Sequence, residues 1–137
     1  MARQDYQVNK DEVRYSDIFI NLNINPGNNQ LARHTDEAAV RRSIKNLVMT
    51  DKYERLHQPT IRCDIKSLLF EPMGPIVGDS IKTLIEETIR NHEKRANLID
   101  VLVRPDYVNQ IYTVTIIFSM INIPEPVQMN LTLKRVR

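Results

Sequence analysis

The clearest pattern in the chain is a change of hydrophobic period near Ala96. Before it, apolar residues recur every three or four positions. After it, they alternate. Val40, Ile44, Leu47 and Val48 share one side of a helix, with Arg41, Arg42 and Lys45 elsewhere. Thr35 or Asp36 suits its start, which predicts a helix from there to about Thr50. Asp64 as N-cap predicts a short second helix through Leu68, Leu69 and Phe70, stopped by Pro72, Gly74 and Pro75. Val77, Ile81, Leu84, Ile85 and Ile89 predict a third helix over about 75–92, with Pro75 in its first turn and Glu86 and Arg90 as an i, i+4 pair.

The alternating part predicts three strands. Leu98 to Val103 form a β-rich run ending at Arg104-Pro105. Tyr112, Val114, Ile116, Phe118 and Met120 interleave with Ile111, Thr113, Thr115, Ile117 and Ser119. Val127, Met129, Leu131 and Leu133 interleave with Gln128, Asn130, Thr132 and Lys134, giving a last strand from Val127 to Val136. The link Tyr107 to Gln110 reads as a hairpin, and Pro124 and Pro126 as a break between the second and third strands. Helices followed by an antiparallel meander give an α+β fold, with helices packed on one side of a small antiparallel β-sheet. Upstream, Tyr15 to Ile20 reads as a short strand or turn. The Asn-rich stretch Asn21 to Gln30, with Pro26 and Gly27, reads as a loop. Residues 1–14 are polar and are expected to form an extended or mobile arm, leaving 15–137 as a single domain.

Composition narrows the function more than it changes the fold. At 137 residues, 42% hydrophobic and 26% charged, the chain is of globular type and has the length of one domain. Its three glycines leave little room for a phosphate-cradling loop, and a net charge of +2 with mixed signs does not mark a nucleic-acid face. The basic end, Lys134, Arg135 and Arg137, reads as a solvated terminus. One cysteine, Cys63, excludes an internal disulfide and favours a reducing compartment. Met1 to Lys10 lacks the apolar stretch of a signal peptide. No run approaches the ~18 apolar residues of a membrane span. The expected site of synthesis and use is the cytoplasm.

Chemistry is hard to locate. His34, His57, His92 and Cys63 stand apart, with no ligand spacing between them, so no metal or cofactor is expected. Cys63 reads as a packed small thiol, and no nucleophile elbow is present. Glu54, Asp64, Glu71, Glu93 and Glu125 are carboxylates of the type a glycosidase pairs across a cleft, and spacing singles out none of them. The end of the third helix, Asn91-His92-Glu93-Lys94-Arg95, reads either as an ordinary charged helix end or as a polar junction that could form a contact surface.

Several motifs in order resemble the lysozyme-like baseplate wedge family of contractile-tailed phages, which also supplies a baseplate component of type VI secretion systems. They are Arg42 to Thr50, Glu54 to Pro59, Cys63 to Met73 and Ile81 to Arg95, with Tyr15-Ser16-Asp17-Ile18 resembling the family's opening. The resemblance covers roughly residues 15 to 135. It implies a structural part in the virion tail baseplate, and since no catalytic constellation stands out among the residues, enzymatic activity is not expected. Six copies would surround the tail tube, bind neighbouring baseplate wedge proteins and offer an edge on which the tail sheath protein begins to polymerise. The family's Glu-Pro-Arg signature falls here on Glu93, Lys94 and Arg95, so both charges remain and Lys94 replaces the proline. Those three residues, and Val127, Met129, Leu131 and Leu133 of a strand free for β-addition, are the expected protein interface. A peptidoglycan-cleaving glycosidase is the alternative. A regulatory adaptor, suggested by fold analogy alone, is a third reading.

Overall fold

The computed structural model describes residues 15–61, 63–121 and 123–135; the expected arm, 1–14, lies outside the described residues. The chain divides into two compact units, one ending at Val40 and the other spanning Arg41–Arg137.

The first unit is a nested β-ribbon. β1 (Ser16–Ile18) pairs antiparallel with β4 (Arg33–Thr35), and β2 (Ile24–Asn25) with β3 (Gln30–Leu31). The Asn-rich stretch is therefore not simply a loop. Its asparagines hold the turn that lets the two short inner strands meet: the Asn25 side chain accepts from the Gly27 N–H at 3.0 Å and the Asn28 side chain from the Gln30 N–H at 3.1 Å. Asn29 takes the left-handed φ of 55° that asparagine tolerates. At the ribbon's base the Phe19 and His34 rings stack at 3.9 Å. There the Asp36 carboxylate accepts from the Tyr15 N–H at 3.2 Å.

α1 (Asp36–Met49) begins where Asp36 and Glu37 favour a helix N-terminus, and Val40, Ile44, Leu47 and Val48 are all buried as their spacing predicts. In the second unit, α2 (Ile65–Leu69) buries Ile65 and Leu69. Asp64 stands at its N-cap, but its side chain makes no capping bond; the Ser67 hydroxyl instead donates to the Asp64 carbonyl at 2.8 Å. α3 (Pro75–His92) opens on Pro75 and buries Val77, Ile81, Ile85 and Ile89 along one stripe.

β5 (Ala96–Asp106), β6 (Ile111–Met120) and β7 (Ile123–Lys134) form an antiparallel sheet in the order β5-β6-β7. Tyr112, Val114, Ile116, Phe118 and Met120 of β6 are buried, while the residues between them are half-exposed. α3 lies on the buried face. Its Gly74 N–H donates to the Tyr112 hydroxyl at 3.3 Å, and Lys82 reaches Asp100 of β5 at 3.2 Å. The β5–β6 turn is tied by Asp106, whose carboxylate accepts from Val108 N–H at 3.0 Å, Asn109 N–H at 3.2 Å and the Asn109 amide at 2.7 Å.

Two strand boundaries differ from expectation, both at prolines. β5 continues through Pro105, and β7 starts at Ile123 and so includes Pro124 and Pro126, which do not break the chain as expected. Hydrogen-bond direction explains this. Arg135 N–H donates to Gln110 O at 3.0 Å, so odd-numbered residues of β7 face β6 and even-numbered ones face away. Ile121 N–H donates to Arg95 O at 3.2 Å, so odd-numbered β6 residues face β5. Pro126 is even-numbered, and Pro105 lies opposite the even-numbered Tyr112. Both rings therefore stand where no ladder N–H is needed, as edge strands permit. Pro124 falls in the register shift between the Pro126–Ser119 and Ile123–Met120 pairs.

Candidate functional site

The junction after α3 is built around a buried carboxylate. Glu93 is the C-cap residue, and its N–H closes the last turn on Ile89 O at 2.9 Å. The helix end and the following strand start carry its side chain inward, to 4% exposure. A lone buried carboxylate would be costly, and here it is paired. Arg95 Nε donates to Oε1 at 2.8 Å, Nη2 to Oε2 at 3.0 Å, and the Arg95 backbone N–H to Oε1 at 3.2 Å. This two-pronged guanidinium grip is the geometry arginine supplies and lysine does not.

Burial pushes the Glu93 carboxyl up, but hydrogen bonds from the Arg95 side chain, the Ser43 hydroxyl and the Arg95 N–H, with the guanidinium charge, outweigh it and hold it below the ordinary glutamate value. The node thus joins α1, through Ser43, to the end of α3 and the start of β5. The Arg95 carbonyl extends it to the end of β6 through Ile121. Glu93 and Arg95 pair within the chain, and Lys94 between them is exposed.

β7 supplies the second feature. The side chains of Val127, Met129, Leu131 and Leu133 are buried, at 8%, 7%, 7% and 4% exposure, and form part of the core. What β7 offers outward is backbone. The N–H and C=O groups of Gln128, Asn130, Thr132 and Lys134 point away from β6, and among the described residues no other strand pairs with them. The same four side chains are exposed. Sequence alternation locates the strand, but only the hydrogen-bond direction says which residues form its free edge.

Other candidates do not converge. No group of three or more His, Cys, Asp or Glu able to hold a metal occurs among the described residues. Cys63 is buried; burial pushes its thiol up, the Thr88 hydroxyl bond lowers it, Asp64 raises it, and the net direction is upward. That is opposite to a reactive thiolate. Glu93 is the one buried carboxylate among the described residues, and it is held ionised, whereas a glycosidase acid must be held protonated. No helix among the described residues is long and apolar enough to cross a membrane.

The family model for baseplate wedge protein gp25 matches residues 34–124, from the end of the ribbon through most of the sheet. The chain belongs to the gp25 baseplate wedge family. The gp25 baseplate wedge protein of Enterobacteria phage T4 is 31% identical over 114 residues, which are 83% of this chain and 86% of the phage protein. The α+β fold is shared with a Geobacter sulfurreducens protein described as a tail lysozyme, at a TM-score of 0.66 and 17% identity, covering 72% of this chain and 89% of that one. It is also shared with a chain of the anti-feeding prophage baseplate, at a TM-score of 0.61 and 20% identity, covering 90% of this chain and 87% of that one.

Proposed function

We propose that the protein is a structural component of a contractile tail baseplate, which binds neighbouring wedge proteins and starts the tail sheath by strand addition along β7. Membership in the gp25 family supports the baseplate role. The observation that carries the sheath role is the open edge of Gln128, Asn130, Thr132 and Lys134, a row of backbone donors and acceptors that an extended segment of another chain can complete. A long exposed edge is normally a liability that proteins blunt. Here Pro124 and Pro126 blunt only its beginning, leaving the remainder pairable. The Glu93–Arg95 node holds the two ends of the α3–β5 junction in fixed relation and leaves Lys94 as its outward contact. In the assembled particle, six copies around the tail tube, put together in the host cytoplasm, fit this role.

The reading is tested by co-assembly with the wedge and sheath proteins of the same particle. Thr132→Pro removes an outward N–H, so it is expected to leave wedge entry intact and abolish sheath growth. Normal sheath growth on that variant defeats the edge assignment. Activity of the pure protein on cell walls, measured by turbidity and lost in Glu71→Gln or Glu93→Gln, would instead establish the glycosidase reading.

A further inference from the structure

Between α1 and α2 the chain leaves the core at Thr50 and returns at Cys63, residues 6% and 0% exposed. The Cys63 N–H donates to the Thr50 carbonyl at 3.1 Å and closes the neck of an Ω-loop. Residues 52–60 are all exposed. The loop is nonetheless pinned. Asp51 N–H donates to Glu54 Oε2 at 2.9 Å, Gln58 N–H to Arg55 O at 3.2 Å and Ile61 N–H to Gln58 O at 3.1 Å. Lys66 of α2 pairs with Asp51.

This pinned loop displays two large apolar side chains, Tyr53 at 65% exposure and Leu56 at 89%. Tyr53 holds a left-handed φ of 65°, a conformation that strains tyrosine and suits glycine. The charges are sorted as well. The Asp51 carboxylate pairs with Lys66 and the Glu54 carboxylate accepts from the Asp51 N–H, while the exposed Lys52 lies 5.0 Å over the Tyr53 ring and the exposed Arg55 adjoins Leu56 in the chain. The result is a hydrogen-bonded loop whose apolar tip carries two exposed cations, Lys52 and Arg55, beside it. Tyrosine and arginine are side chains from which protein contacts draw much of their affinity, an ordered loop lowers the cost of binding, and the exposed Leu56 adds apolar area for a partner to bury.

We propose that the 51–61 loop is the chain's docking knob for another wedge protein, one that presents an apolar pocket rimmed by carboxylates. The proposal rests on the wedge reading above and assigns wedge binding to a surface other than the β7 edge. The test co-expresses the full chain with the other wedge proteins of its particle, and measures both wedge incorporation and melting temperature. Leu56→Asp is expected to lower incorporation by about tenfold or more, a typical loss for a central apolar anchor. Tyr53→Gly is expected to weaken incorporation while its melting temperature stays equal or rises, a combination that a purely structural tyrosine does not give. A photo-crosslinker at position 56 should attach to a wedge protein, and one at position 87 on α3 should not. Unchanged incorporation of both variants overturns the proposal and leaves the wedge reading standing. Failure of the unaltered chain to enter wedges overturns both.

Discussion

Arg95 closes on the Glu93 carboxylate from two residues away, with Nε at 2.8 Å from Oε1 and Nη2 at 3.0 Å from Oε2. The two side chains differ in exposure: that of Glu93 is 4% exposed and that of Arg95 26%. Removing the arginine therefore leaves a buried charge, whereas removing the charge leaves a smaller fault. Arg95→Ala is expected to cost about 3 kcal/mol and Glu93→Gln less, because the amide keeps the shape and part of the hydrogen bonding. Urea unfolding of the two single variants and the double variant measures the coupling. A coupling near zero would show that the pair contributes no net stability.

The same pair sets an acid limit. The folded-state carboxyl of Glu93 lies below its unfolded value, because Arg95 and Ser43 favour the ionised form. Its contribution is fully present above the unfolded glutamate value, about 4.3, and is lost as pH falls through the lower folded value. Melting temperature should therefore fall as the pH drops below about 4, and the Glu93→Gln variant should fall less over the same range. Parallel curves for the two proteins would contradict this.

Gly78 lies inside α3, where glycine is a poor helix residue. A Cβ at this position would sit 3.8 Å from Val103 and 3.9 Å from Tyr112, which is ordinary contact distance. Gly78→Ala should stabilise the protein by roughly 0.5–1 kcal/mol, through reduced unfolded-state entropy and a better helix. A fall in the urea midpoint would mean that the helix–sheet spacing is tighter than these distances indicate.

Cys63 is buried with an upward-shifted thiol beside Thr88. It should resist alkylation in the native protein and react once the chain unfolds. Labelling rates followed through a urea series should track the unfolding transition. Rapid labelling in native buffer would place the thiol at an accessible surface.

α1, α3, β6 and β7 were legible in the sequence because each buries a single face, and one-sided burial imposes a period on the residues that supply it; α2 and β5 were legible instead from cap and stop residues and from a β-rich run. The stripes Ile44-Leu47-Val48 and Ile81-Ile85-Ile89 and the alternation from Tyr112 to Met120 are all buried as their spacing predicted. The ribbon strands β2 and β3 were not legible. They have two residues each, too few for a period, and their turn is fixed by asparagine side-chain bonds that composition alone reads as a loop. The prolines in β5 and β7 misled for a related reason. Whether a strand tolerates proline depends on which way its N–H would point, and that is settled by the neighbouring strand.

The candidate contacts divide in the same way. The sequence by itself determined the family, the α+β order, and the presence of Glu93, Lys94, Arg95 and an alternating C-terminal strand. Only the tertiary structure decided that Glu93 and Arg95 hold each other, that Val127, Met129, Leu131 and Leu133 turn to the core, and that Gln128, Asn130, Thr132 and Lys134 carry the open edge. The physical reason is that local spacing fixes which face a side chain takes, whereas its partner, and the direction of each backbone N–H, are set by segments distant in sequence.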